Sequence, residues 1–174
     1  LADMYAGLKQ MDALLPAARE KVNAELGDRF AELCQQHKFF YILGSGPNFS
    51  QTYAMAICSL MEMQWQHCCY IHSGEYFHGP FEVSTEGKPY VFFMSDGATR
   101  PMDARALTFL ERMGAKVALI DSKDYGLADA VPASVVTYFN PLLHLAVMRE
   151  YGNQIAEARQ HPLTMRRYMW KLSY

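Results

Sequence analysis

Two residues sixteen positions apart, Glu62 and His78, have the types and setting of a proton-transfer pair. Glu62 interrupts the apolar run Ile57-Cys58-Ser59-Leu60-Met61, and His78 stands in GEYFHGPFE, residues 74–82. The histidine has Glu75 three residues before it, Glu82 four residues after it and a Gly-Pro turn directly behind it. A carboxylate left unpaired inside an apolar helix is strongly unfavourable, so Glu62 must be protonated, paired or facing a cleft. Desolvation there would raise its pKa toward the range of a general base. A titratable histidine near such an acid completes the usual makeup of acid-base chemistry. Each residue also has a plain alternative: Glu62 on a narrow solvent stripe with Gln66, and His78 merely exposed on its loop.

Two loops and one histidine-cysteine cluster extend the set of candidates. Gly44-Ser45-Gly46-Pro47-Asn48-Phe49-Ser50 follows an apolar run and opens a helix, placing Ser45 where small residues and a helix N-terminus favour an anion. It lacks the third glycine of the dinucleotide fingerprint, and a plain strand-to-helix turn explains it equally. Ser95-Asp96-Gly97-Ala98-Thr99-Arg100 offers two hydroxyls around a glycine, as a phosphate cradle or as turn chemistry, with Asp96 placed to repel a phosphate. His67-Cys68-Cys69-x-x-His72 invites a metal, but strand alternation spreads those side chains over both faces, so no metal site is expected.

The elements that must position these residues alternate in type. Residues 3–37 read as helix, broken or kinked near Pro16, through Met4, Leu8, Met11, Leu14 and Leu15 and then Val22, Leu26, Phe30 and Leu33. The runs 39–43, 69–72, 89–95 and 116–121 read as short buried strands, with a possible fifth near 135–139. Helices are expected over 51–66, 101–113 and about 141–158, followed by a polar, aromatic-rich tail to Tyr174. Strands alternating with helices give a single α/β domain over 1–174, a doubly wound, mainly parallel sheet flanked by helices in a flavodoxin-like three-layer sandwich.

A chain of 174 residues buries roughly 70% of its unfolded surface without disulfide staples. Its net charge of -2 and lack of a basic run point away from nucleic acid and anionic membranes. No apolar stretch reaches the ~20 residues of a membrane span. The chain starts at Leu1 with no signal-peptide pattern, as a processed product or an excised domain would. Cys34, Cys58, Cys68 and Cys69 contain no CxxC pair and read as reduced, mostly buried thiols of a cytoplasmic protein.

Glu62 followed by Ser73-Gly-Glu75-x-x-His78-Gly79-Pro80 resembles the second half of the two-domain sugar isomerase (SIS) proteins, including the isomerase part of glucosamine-6-phosphate synthase. The tail EARQHPLTMRRYMWK, 157–171, is similar to the C-terminus of the 6-phosphofructose-aspartate, fructoselysine-6-phosphate and glucoselysine-6-phosphate deglycases. The likeness covers nearly the whole chain but only the second of two SIS domains. It departs at Ser95–Thr99, a degraded form of the phosphate loop that the first domain of such proteins carries.

The resemblance implies a deglycase acting on a 6-phosphorylated sugar–amino acid conjugate, with no metal or organic cofactor. It implies Glu62 as the group that moves a proton between C1 and C2, and His78 as a helper in ring opening that reaches the site from a neighbouring subunit. Ser73 and Glu75, flanking the glycine, would line the site. Lys171 would approach the sugar, or else be a solvated tail charge. A homodimer with a shared site follows, for which the apolar runs at 135–139 and 141–150 and the aromatic tail were expected to supply surface. Two rivals use the same fold: a glucosamine-6-phosphate isomerase or deaminase, whose tail differs, and a sugar-phosphate sensor, which has no need of both Glu62 and His78. The amino acid released and the form of the sugar stay open.

Overall fold

The computed structural model describes residues 1–173, with the side chains of 25–30 excepted, so Leu26, Phe30 and Tyr174 lie outside the described residues. Four parallel strands form the sheet in the order β2-β1-β3-β4: β1 Phe39–Gly44, β2 His67–His72, β3 Pro89–Met94 and β4 Lys116–Asp121. All six residues of β3 are buried, as a central parallel strand covered on both faces requires. The edge strand β2 alternates less cleanly, with Cys68 and Ile71 inward and His67, Cys69 and Tyr70 exposed.

Strand alternation divides the core in two. Phe40, Ile42, Val91, Phe93 and Ile120 face one layer of helices: α1 Ala2–Lys21, α2 Gly27–Gln36, α3 Phe49–Ala54 and α6 Val136–Ala158. Leu43, Ile71, Tyr90, Phe92 and Met94 face α4, Arg100–Arg112, and the 3-10 turn Tyr76–His78. A short α5, Leu127–Ala130, closes the connection from β4. This is the doubly wound three-layer arrangement expected from the alternation of elements.

Three expectations need correction. Pro16 does not break α1, which runs through it; the missing bond would have fallen on Asp12, which is exposed, and the irregularity comes later as a π-helical stretch at Val22–Leu26. The run 135–139 is not a fifth strand but the cap and first turn of α6. Val136 and Phe139 face the core, and Asn140 makes the helical start possible. Its Nδ2 donates to Thr137 O at 3.1 Å, the carbonyl that Pro141 cannot serve for lack of an N–H. Nor is 135–150 a broad partner surface: Val136, Phe139, Leu143, Val147 and Met148 are buried within the chain, leaving Tyr138 and Leu142 exposed. The tail does expose Tyr168, Trp170 and Leu172.

Candidate active site

Helix α3 continues without interruption as π-helical turns over Met55–Met63, and Glu62 lies in the last of these. Such turns recur at functional sites because they widen the helix and redirect its side chains. The helix stops at Trp65, whose backbone takes a left-handed φ of 51° and swings the chain into β2. A bulky residue rarely adopts that conformation, which costs about 1–3 kcal/mol and persists only where surrounding contacts hold it.

Those contacts come from the C-terminal tail, which crosses the end of α3. Arg159 Nη1 donates to Gln64 O at 2.9 Å, and Gln64 Nε2 donates back to His161 O at 2.9 Å. His161 packs edge-on against Trp65 with ring centres 4.4 Å apart, and the Arg167 guanidinium lies 4.2 Å from the indole centre. Burial, with help from Arg159 and Arg167, holds the His161 pKa below its ordinary value, so the ring is neutral. Two further residues of the tail, Gln160 and Trp170, also have positive φ.

The tail and the helix end enclose a cleft of about 740 Å³, whose lining includes Glu62, Trp65, His67, Arg166 and Arg167. Glu62 does not share a solvent stripe with Gln66. One third of its side chain is exposed into the cleft, whereas Gln66 is buried with Nε2 donating to His37 O at 3.1 Å. Its counter-charge is Arg166 Nη2 at 3.5 Å. Arg166, only 13% exposed, is fixed by Nη1 bonds to Leu163 O and Met165 O. Lys171 does not enter this cleft: its Nζ donates to Arg166 O at 2.6 Å, and the residue is exposed.

His78 lies elsewhere. Strand β2 starts beside the cleft at His67 and ends at His72, and His78 sits exposed on the turn beyond that far end, with Glu75 also exposed. Six strand residues span about 17 Å, so one chain does not bring Glu62 and His78 within the ~3 Å of a shared proton. Ser45 and Ser73 are at the same far end, buried beneath the loop and facing the carboxyl of Asp103. Ser95 completes that cluster, its Oγ 3.1 Å and its N–H 3.4 Å from Asp103 Oδ2. Burial raises the Asp103 pKa, and the three serines pull it partly back, although Ser45 and Ser73 stop short of hydrogen-bond geometry.

The Asp103 carboxyl thus lies beside the ends of β1 and β3, the region where ligands settle in doubly wound folds. Arg100 is likewise engaged, bidentate to Asp121 at 2.6 and 2.8 Å. The histidine-cysteine cluster on β2 divides as its alternation predicts, Cys68 buried against Ala56 O and Cys69 exposed. Among the described residues no group of three or more His, Cys, Asp or Glu is placed to hold a metal. No helix among them is long and apolar enough to cross a membrane.

Comparison with known proteins bears on this geometry. Over 168 residues the chain is 42% identical to fructosamine deglycase FrlB of Bacillus subtilis, a match covering 97% of this chain and 51% of the relative. A crystal structure from Salmonella typhimurium, described as a candidate phosphosugar isomerase, superposes with a TM-score of 0.95 at 42% identity, over 99% of this chain and 53% of that one. The chain is a phosphosugar-isomerase (SIS) domain. Fructoselysine 6-phosphate deglycase of Escherichia coli is 35% identical over 97 residues, 56% of this SIS domain and 28% of the relative. No family model matches. The SIS domain spans about half the length of FrlB and of the Salmonella structure.

Sequence reasoning missed Trp65, His67, Arg166 and Arg167 as cleft residues. The signal was present in the tail sequence, which marked a likeness to deglycases but not the place where the tail folds back.

Proposed function

We propose that this SIS domain is the C-terminal half of a deglycase that splits a 6-phosphorylated sugar–amino acid conjugate into hexose 6-phosphate and a free amino acid. The observation that carries the reading is Glu62, open to a cleft and facing a fixed guanidinium, in a chain whose relatives are named as deglycases.

In the open-chain conjugate the amino nitrogen is bonded to C1, and C2 is a ketone. Glu62 removes a proton from C1; the C–H electron pair becomes the C1–C2 double bond, and the C2 oxygen takes up a proton. Return of a proton to C2 moves the double bond to C1–N as an imine. Water adds at C1, the C–N bond breaks with its electrons going to nitrogen, and the amine leaves as the amino acid. The steps balance without an oxidant or reductant. Arg166 keeps Glu62 aimed into the cleft. His78, with Glu75 beside it, serves ring opening from a second subunit, since the two ends of β2 are too far apart for one chain to supply both groups. The cluster of Ser45, Ser73 and Asp103 holds the His78 loop in place.

The test uses the full-length parent protein with 6-phosphofructose-aspartate, fructoselysine 6-phosphate, glucoselysine 6-phosphate and glucosamine 6-phosphate, each assayed for hexose phosphate and for amino acid or ammonia. Amino-acid release from a conjugate, abolished by Glu62→Gln, is the expected result. Turnover of glucosamine 6-phosphate alone would replace the reading with an isomerase or deaminase.

A further inference from the structure

The cleft beside Glu62 holds two guanidinium groups against one carboxylate, and the protein itself employs only one of them. Arg166 is committed to Glu62 and to two tail carbonyls. Arg167 is exposed at the cleft wall and, among the described residues, makes no ion pair or hydrogen bond. Its contact is with Trp65, 4.2 Å from the indole centre. A guanidinium stacked on an aromatic face is shielded on that face and keeps its in-plane N–H fork free, the geometry that meets a carboxylate bidentately. The platform is deliberately held: Trp65 has a left-handed backbone, and the neutral His161 packs on its ring.

We propose that Arg167, on its Trp65 platform, binds the carboxylate of the substrate's amino-acid half and so selects conjugates over simple amino sugars. The inference rests on the reading of Glu62 as the base at C1. When the amino acid is joined through its α-nitrogen, its carboxylate carbon lies about 4 Å from C1. Glu62, Trp65 and Arg167 line the same cleft, with Arg167 seated on Trp65. The base and the carboxylate receptor thus face one bound substrate, whose C1 and carboxylate are neighbours. An amino sugar such as glucosamine 6-phosphate has no anion at that end and gains nothing from Arg167.

Two substrates of nearly equal size isolate the charge: 6-phosphofructosyl-glycine and 6-phosphofructosyl-glycinamide. The kcat/KM of each is measured with the full-length wild type, Arg167→Gln and Arg167→Lys. The wild type should prefer the glycine conjugate by about tenfold or more. Arg167→Gln should bring the ratio near one, chiefly through KM. Arg167→Lys should fall between, because it keeps the charge but not the fork. A purely structural role for Arg167 would depress both substrates alike and leave the ratio unmoved; that result, or a wild-type ratio near one, overturns this inference alone. Turnover of neither conjugate by the wild type overturns the deglycase reading and this inference with it.

Discussion

If Glu62 and His78 act on the same substrate from different subunits, two inactive proteins should restore each other. The separation is set by β2, whose six residues place about 17 Å between the cleft beside Glu62 and the turn carrying His78. Glu62→Gln and His78→Ala should each lower turnover of the full-length parent by ~10²–10⁴-fold, the usual contribution of one positioned acid or base. In a two-fold dimer, a mixed pair has one site with both substitutions and one with neither. Random exchange at equal amounts makes half the dimers mixed, and half of their sites intact, so activity should return to about a quarter of wild type. The converse mixture sharpens the test. Wild type exchanged with the double variant should also fall to about a quarter, because every mixed dimer is dead, whereas self-contained sites would leave about half. The assay is amino-acid release after subunit exchange, with exchange followed by native mass spectrometry on chains carrying different tags. Complete exchange with activity still at the level of the single variants would refute the shared site. So would a solution mass that corresponds to a monomer.

Arg166→Met should lower activity about tenfold or more and destabilise the protein by about 2 kcal/mol, since it strips a nearly buried cation from Glu62 and from two tail carbonyls; Arg166→Lys should recover part of both in kinetics and urea unfolding. His144, fully buried against Ser122, is held by burial at a pKa of about 3 against an ordinary 6.5. Its folded pKa is the depressed one, so the unfolded chain takes the proton first: this contribution to stability is complete above pH 6.5 and falls on acidification, by about 2 kcal/mol between pH 7 and pH 5. Urea unfolding at the two pH values should show that loss, and His144→Gln should remove it while lowering stability at both. Gly97→Ala should destabilise the protein by more than 1 kcal/mol, about the lower bound for such strain, because φ is +102° and a Cβ would stand 2.0 Å from Thr137 Oγ1; an unchanged melting temperature would refute that packing.

The sheet was legible because its strands are buried in a parallel arrangement, so runs such as Phe39–Leu43 and Pro89–Met94 read as continuous apolar segments bounded by turns. Local pattern failed where distant contacts decide. Val135-Val136-Thr137 has strand propensity, yet Asn140 and the core make its residues the start of α6. Glu62 was legible as an anomaly, but not its environment. The helix around it looked buried on composition, whereas its last turn opens to a cleft built by a tail segment joined to it across 97 residues, through Gln64 and His161. For the same reason Arg166 and Arg167 appeared only as part of a tail signature. Asp103 gave no signal at all, since an acid in the first turn of a helix is ordinary chemistry.

On the proposed reading, the carboxylates around Asp103 also bear on where the substrate's phosphate is held. A phosphate monoester carries nearly two negative charges at neutral pH and is best met by free backbone N–H groups at a helix N-terminus. In this SIS domain Asp103 is buried in the first turn of α4 and accepts from Ser95 N–H, with Asp96 buried close by and Arg100 neutralised by Asp121. A phosphate there would meet two carboxylates and no uncommitted cation from that network. The Glu62 cleft has positive groups, but the proposed reaction places C1 and the amino acid there, and the phosphate on C6 is at the other end of an open-chain hexose. On the proposed reading, the Glu62 cleft supplies the base, the counter-charge and the carboxylate receptor, but no phosphate grip. We propose that a second subunit, or a region like the part of FrlB that this domain does not match, supplies that grip.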